Sequence, residues 1–247
     1  MNIILIRPHE IDGDWVVLED HRAEHIVKVL RSDKGDRVNV GILDGKTGFA
    51  TIEKIDRKRP FQVKLFLNID QDPPAPPLTD VILALPRPIV FRRIIHQLTS
   101  LGVGQVFVIN ASRVEKSYWE ASIVSDNGWR EYVITGLEQA VDTRMVPITF
   151  HRGFKPFMLE TVPELSNRYA SMLVAHPGAC TSISKIGIHK TRPVLVAIGP
   201  EGGWNDFELA LMRSQGFVEF TIGARILKVE TAAAAIHAQI SLMREMS

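Results

Sequence analysis

The stretch Gln71-Asp72-Pro73-Pro74-Ala75-Pro76-Pro77 divides the chain into two parts with different periodicity. Its four prolines remove backbone donors and favour an extended, semi-rigid spacer, so no helix or central strand runs through it. Before it, Asp36 to Val40 and Thr47 to Ile55 alternate as half-buried strands do, with Asp44-Gly45 as a hairpin signal between them. Phe61 to Ile69 reads as another strand, and Glu24 to Arg31 as one short helix. This part is expected to be a small β-barrel or β-sandwich. After the spacer the period changes. Val81 to Leu85, Val106 to Ile109, Ser171 to Ala175, Val194 to Ile198 and Val218 to Ile222 are short apolar runs suited to strands buried on both faces. Helical patterns separate most of them, which predicts an α/β domain with a mainly parallel sheet. The expected organisation is therefore a first domain over 1–70, a linker over 71–79 and a second domain over 80–247.

Two glycine-bearing segments in the second domain follow predicted strands and run into helices: Ile198 to Trp204, and Ile222 to Thr231. In open α/β sheets, ligands bind beyond the carboxyl ends of strands, so one shared small-molecule pocket is expected. Gly199, Gly202 and Gly203 permit close backbone approach, and Pro200 stiffens the turn. Glu201 fits either a ligand contact or a helix-end stabiliser. Ile226 and Leu227 are apolar in a loop, as the floor for a flat ring or as ordinary packing. Leu173-Val174-Ala175-His176 ends a third strand of the same sheet. Asn205 and Glu208 form a capping-box variant, with Gly216 past the helix end. The last helix is predicted to start near Thr231, and the small side chains of Ala232 to Ala235 suit very close packing.

Other patterns mislead. His21-Arg22-Ala23-Glu24-His25 matches H-x-x-E-H, but nothing nearby offers the third ligand a zinc site needs, so coincidence is the better reading and no metal is expected. Gly41 to Thr47 is one residue short of a Walker A loop and lies between strand patterns, where a hairpin turn explains it better. Gly102-Val103-Gly104 lacks the third glycine of a dinucleotide fingerprint. There is no G-x-S-x-G elbow, and Cys180 has no partner motif.

Composition sets the class. The 247 residues are 45% hydrophobic and 23% charged, as in a soluble globular protein. A net charge of +1 means that a nucleic-acid role must rest on a local patch. The single cysteine fits a reducing compartment. Neither a secretory signal nor an apolar run of the ~18 residues that span a bilayer is visible, so the expected location is the cytoplasm.

Ile-Gly-Pro-Glu-Gly-Gly-Trp over 198–204, followed by Ile-Gly-Ala-Arg-Ile-Leu-Lys-Val-Glu-Thr-Ala over 222–232, resembles the signature of the RsmE family of SPOUT methyltransferases. Glu24 to Arg31, with Lys34-Gly35-Asp36, resembles the same family's H-x-x-x-V-L-R and K-x-G-D pattern. The resemblance implies a PUA-like β-barrel that contacts RNA, followed by an α/β domain with a deep trefoil knot, one of the rare exceptions to unknotted topology. It further implies a homodimer that uses S-adenosylmethionine to methylate N3 of one uridine near the 3′ end of 16S ribosomal RNA, in an assembled or nearly assembled small subunit. The cofactor pocket then falls on Leu173, Val174, Ala175 and His176, on Ile198, Gly199, Pro200, Glu201 and Gly203, and on Ile222, Gly223, Ile226, Leu227 and Thr231. The dimer contact would use the last helix.

The chain departs from the family where Arg87-Pro88-Ile89-Val90-Phe91 replaces K-G-D-[KR]-M, and where His96 to Gly102 replaces Q-K-A-T-E-L-G. The arginine frequent before E-T is Lys228, and Glu138-Gln139 keep only part of an E-Q-S-x-R segment. These changes cluster on the side of the catalytic domain that the resemblance implies faces RNA; they leave the cofactor reading intact and bear on the target base. Uridine N3 becomes a nucleophile only when its proton leaves, which requires a base or cations near O2 and O4. Arg225 is the first candidate cation, Lys228 a helper and Glu230 a candidate base. Arg7, His25, Lys28 and Arg31 are the candidate RNA contacts. The competing readings are an RNA-binding protein with a vestigial catalytic domain, a SPOUT methyltransferase acting on another base, and a different enzyme class using the glycine loops for a nucleotide.

Overall fold

In the computed structural model, which describes residues 1–124 and 126–247 in full, the chain forms two compact units. The first comprises Met1–Ala75 and Leu137–Met145, the second Pro76–Gly136 and Val146–Ser247.

The first unit is built on a six-stranded sheet. Its strands are β1 (Ile4–Ile6), β2 (Ile11–Asp12), β3 (Trp15–Leu18), β4 (Arg37–Ile42), β5 (Thr47–Asp56) and β6 (Gln62–Gln71), in the order β1-β4-β5-β6-β3-β2. Strands β4, β5 and β6 follow the predicted alternation, and Val38, Val40, Ala50, Ile52, Val63 and Leu65 enter the core. The Asp44-Gly45 turn forms as expected: Asp44 is left-handed at φ 58°, and Gly45 N–H donates to the Ile42 carbonyl at 2.8 Å. The Walker-like stretch is thus the end of β4, this turn and the start of β5. The short helix α1 (His21–His25) starts at Asp20, whose carboxylate accepts the Arg22 N–H at 3.0 Å, and continues as a wider π turn over Ile26–Leu30. It ends where Arg31 turns left-handed at φ 55°.

The second unit holds six parallel strands, β7 (Thr79–Ala84), β8 (Val106–Ile109), β9 (Ile148–His151), β10 (Ser171–Ala175), β11 (Val194–Ile198) and β12 (Val218–Phe220). Their order is β12-β10-β11-β7-β8-β9. From β7 the chain moves outward through β8 to β9, crosses to β10 on the other side, and returns to lay β11 beside β7. The order therefore reverses between β7 and β11, the position at which doubly wound sheets open a crevice. Every residue of β7, β8 and β11 is buried, as their apolar runs predict, and β7 buries two polar residues besides, Thr79 and Asp80, the latter accepting the Tyr169 hydroxyl at 2.6 Å. Ile82, Ala84, Phe107, Ile109, Val174, Leu195 and Ala197 pack on one face with Phe157, Met158 and Val162. Leu209 and Met212 join them from the helix Asp206–Ser214. The long helices Pro88–Leu101 and Val229–Glu245 pack against each other. With the intermediate helix Arg130–Ala140, these helices are α2 (Pro88–Leu101), α3 (Arg130–Ala140), α4 (Asp206–Ser214) and α5 (Val229–Glu245).

Candidate active site

A cleft of about 810 Å³ opens at the carboxyl ends of the parallel strands in the second unit. β10 supplies Ala175, His176 and Pro177, β11 supplies Ile198 to Trp204, and β12 supplies Phe220 to Gly223. These are the three strand ends named from the sequence, and they meet at one place. Arg225, Ile226, Leu227 and Lys228 continue the wall into α5, where Val229, Glu230, Ala232 and Ile236 complete it.

The loop after β11 is fixed on several sides. Glu201 accepts the backbone N–H of Arg87 at 3.1 Å, at the N-cap of α2. Its carboxylate therefore stabilises the start of α2 rather than of α4, the helix that follows it in sequence. Arg113 donates to the Gly202 carbonyl and crosses so close that a Cβ on Gly202 would lie 2.9 Å from Arg113 Cδ. Trp204 is buried beneath Gly199, where a Cβ would come within 3.1 Å of the indole nitrogen. That nitrogen has no hydrogen-bond partner among the described residues. Asn205 and Glu208 close the predicted capping box, at 2.8 Å and 2.9 Å, and Glu208 also accepts the Ser112 N–H at 2.7 Å. The loop after β12 is looser. The Thr221 hydroxyl donates to the Gly223 carbonyl at 2.9 Å, and residues 223–228 are exposed. Ile226 is 84% exposed, an unusual setting for a large apolar side chain.

The predicted residues divide by position. Ala175, His176, Ile198, Gly199, Pro200, Glu201, Gly203, Ile222, Gly223, Ile226 and Leu227 line the cleft together with Arg225, Lys228 and Glu230. Leu173 and Val174 lie fully buried inside β10, short of the cleft, because the strand runs on to Ala175. Thr231 is exposed on the first turn of α5, outside the lining. Arg87 and Val90, from the segment after β7 where the chain departs from the family, also line the cleft, as do Arg93 and Arg113, which sequence reasoning missed. No glycine motif marks these places. The strand-end rule alone, applied to β7 and β8, would have reached them.

The candidate RNA contacts lie in the first unit. Arg7 faces Glu10 at 3.8 Å, and Lys28 pairs with Glu24 while standing 5.4 Å from the Phe61 ring centre. Arg31 is exposed at the helix end. His25 is half-buried, its Nε2 has no partner among the described residues, and burial holds its pKa below the ordinary value. Arg22 of the zinc-like motif is structural: it donates to the Leu5 carbonyl at 2.7 Å, to Glu10 at 2.6 Å and to Asp20 at 2.8 Å.

Residues 73–241 match a family model described as an RNA methyltransferase domain, and residues 18–65 match one described as an RNA methyltransferase PUA domain. Ribosomal RNA small subunit methyltransferase E of Treponema pallidum is 29% identical over 238 residues, covering 95% of this chain and 88% of that protein. Ribosomal RNA small subunit methyltransferase E 1 of Borreliella burgdorferi is 29% identical over 232 residues, covering 94% of each. Among solved structures, a ribosomal RNA small subunit methyltransferase E from Neisseria gonorrhoeae bound to S-adenosyl methionine shares the fold, with a TM-score of 0.78 at 21% identity over 98% of each chain. With both family domains matched, and with the cleft at the strand ends where the motifs fall, the chain belongs to the RNA methyltransferase family, of the RsmE type.

Proposed function

We propose that this protein is an S-adenosylmethionine-dependent methyltransferase that modifies N3 of one uridine in small-subunit ribosomal RNA. The observation that carries the proposal is the convergence of three strand-end loops, distant in sequence, on one cleft. The cleft residues fit the cofactor. Ile198, Ile226 and Leu227 offer apolar walls to an adenine ring, and Gly199 lies so close on the indole of Trp204 that a Cβ there would come within 3.1 Å of its nitrogen. Its buried, unpartnered indole N–H is a donor in want of an acceptor.

When bound, the cofactor supplies a methyl group on a sulfonium sulfur. The protein's own work is to orient the base and favour its anion. Arg225 lines the cleft as an exposed cation and stabilises charge on O2 or O4 as N3 loses its proton, with Lys228 beside it in sequence. Glu230, half-buried in the first turn of α5, receives that proton. Arg7, His25, Lys28 and Arg31 guide RNA to the first unit. The enzyme works in the cytoplasm on an assembled or nearly assembled subunit, as a knotted homodimer. The exposed Leu242 of α5 and Met246 just past its end suit a contact between two copies.

Calorimetry with S-adenosylmethionine, and mass mapping of ribosomal RNA with and without the gene, test the reading. A protein that does not bind the cofactor would instead be the vestigial form. Arg225→Ala is expected to retain cofactor binding and lose about 10²- to 10³-fold in methylation rate, as when one donor to a developing anion is removed. Full activity of that variant with tritiated cofactor on small subunits would overturn the assignment.

A further inference from the structure

The corner of the glycine loop is held from outside the loop. Gly203 N–H donates to the Pro200 carbonyl at 2.8 Å, which closes a four-residue turn with Glu201 and Gly202 at its corner. Pro200 is buried, and the corner itself is exposed. Gly199 to Gly203 line the cleft, so the shape of this turn is part of the shape of the site. Among the described residues, two groups from other segments bond the corner. The backbone N–H of Arg87 donates to Glu201 Oε1 at 3.1 Å, and the Arg113 guanidinium donates to the Gly202 carbonyl.

These two anchors differ in kind. Arg113 is an exposed side chain, able to leave. The Arg87 N–H is backbone and is fixed by α2. The Arg87 carbonyl accepts the N–H groups of Val90 at 2.9 Å and Phe91 at 2.8 Å, so the first turn of the helix closes on this residue. Phe91 is wholly buried and packs its ring near that of Phe150, with centroids 6.1 Å apart. Glu201 therefore grips a point that the core holds still.

The helix start in turn lacks a carboxylate of its own. The first turn of α2 contains no acidic residue, Arg87 makes no side-chain cap, and Pro88 brings no N–H. Glu201, from the loop after β11, supplies the negative charge that the positive end of the helix favours. The Arg87 side chain adds to the match. The Tyr118 hydroxyl first, and then the Glu201 and Glu115 carboxylates, raise the pKa of its guanidinium. Exposed charges contribute little as a pair, which leaves the bond to the amide as the stronger tie. Glu201 thus meets both the N–H and the guanidinium of one residue, and its charge is answered before any ligand arrives.

We propose that Glu201 is a positioning residue: it pins the corner of the glycine turn to the start of α2 and so holds the turn in the shape that accepts S-adenosylmethionine, without touching the cofactor. The assignment rests on the reading of the cleft as a cofactor site. A turn that keeps its binding shape only part of the time binds more weakly in proportion to that fraction. Removing the side chain frees the corner, whereas Gln keeps an oxygen to accept the Arg87 N–H. A carboxylate that contacted the sulfonium or ammonium of the cofactor would need its charge, and a neutral amide would not replace it.

The test uses full-length wild type, Glu201→Ala and Glu201→Gln, with two probes. S-adenosylmethionine carries a sulfonium and an ammonium; 5′-methylthioadenosine has the same adenosine and neither charge. By calorimetry, Glu201→Ala is expected to weaken both about tenfold, as for a turn correctly formed about one time in ten, and Glu201→Gln to stay within about threefold of wild type. In the ligand-free protein, amide exchange in Glu201→Ala should speed up at Gly203, Val90 and Phe91, whose N–H groups close the two turns, and should stay near wild type in Glu201→Gln. The methylation defect of Glu201→Ala should fall on KM for the cofactor rather than on kcat. Equal losses in the Ala and Gln variants would overturn the proposal, as would a loss confined to S-adenosylmethionine, because either marks a direct contact with the cofactor's charge. Wild-type affinity or unchanged exchange in Glu201→Ala would overturn it too. Failure of wild type to bind S-adenosylmethionine would sink the methyltransferase reading, while the exchange comparison still judges the tie to α2.

Discussion

At the scale of single residues, the glycines of the loop after β11 are not equivalent. A Cβ on Gly199 would lie 3.1 Å and 3.2 Å from the indole of Trp204, which the core holds in place. A Cβ on Gly202 would lie nearer, at 2.9 Å, but its neighbour is the side chain of Arg113, exposed and able to swing away. The rigidity of the neighbour decides the cost, not the distance. Gly199→Ala is therefore expected to lower S-adenosylmethionine affinity at least about tenfold, roughly 1.4 kcal/mol, and Gly202→Ala to change it by less than about threefold. Calorimetry on the two variants checks the ranking, and equal losses would refute it. The sequence motif makes all of these glycines visible and says nothing of this difference, because one neighbour is a buried ring and the other an exposed side chain from another loop. Glu201 is a similar case. Its two readings could be separated only by seeing that the nearest unsatisfied helix start belongs to α2, which precedes it by more than a hundred residues in the chain.

At the scale of elements, the joint between α2 and α5 shows how burial sets a pH response. His237 of α5 is buried and lies with Nε2 3.1 Å from the carbonyl oxygen of Gly102, the left-handed cap of α2 at φ 84°. A carbonyl only accepts, so the ring N–H is on Nε2. Burial holds the His237 pKa below the ordinary value of 6.5; the Gly102 bond works the other way, and the charge of Arg244 adds to the lowering. The folded state thus binds this proton less readily than the unfolded chain does. The stability this group contributes is complete above its unfolded pKa and is lost as pH falls through the lower folded value. Between about pH 8 and pH 5, thermal melts of His237→Gln should fall less steeply than those of wild type, and parallel profiles would show that the joint does not sense pH. The elements themselves were unevenly legible. Strands β7, β8 and β11 announce themselves because both faces are buried, so their runs are largely apolar, and β10, buried at Leu173 and Val174, keeps enough of the same pattern to be read. β1, β2, β3 and β9 went unseen: each is short, and β1, β3 and β9 take their register from partners distant in sequence. Cleft residues followed the same division, since Arg93 and Arg113 carry no local signature and acquire meaning only from their strands' neighbours.

At the scale of the whole molecule, the chain crosses between its two units more often than the proline spacer suggests. It enters the first unit again at Leu137, within α3, and leaves after Met145. Val141 adopts φ 58° just beyond α3, a conformation rare for a β-branched residue. Within the first unit, the N–H groups of Asn2 and Ile3 donate to the Glu138 carbonyl at 2.9 Å and 3.3 Å, and Asp44 N–H donates to the Thr143 carbonyl at 2.8 Å. The Thr143 hydroxyl donates to the Gly45 carbonyl at 2.6 Å, and Asp44 accepts the Met145 N–H at 2.8 Å. No periodicity marks this segment, because backbone groups make most of its bonds. It also makes a steric requirement. Thr143 is wholly buried, and a Cβ on Gly41 would lie 2.5 Å from its Cγ2 and 3.0 Å from Ile3 Cδ1. Gly41 is thus glycine for the sake of a residue about a hundred positions later, not for a phosphate. Gly41→Ala is expected to destabilise the protein by about 1–3 kcal/mol through overpacking. Thr143→Ser removes the opposing methyl while keeping the hydroxyl, and alone should cost about 0.5–1.5 kcal/mol. If the segment is an integral part of the first unit, the double variant should be more stable than the sum of the two losses by about 1 kcal/mol, measured by denaturant unfolding of the full chain. Strict additivity would mean that Gly41 and Thr143 do not press on each other, and that the returning segment is laid on the unit rather than packed into it.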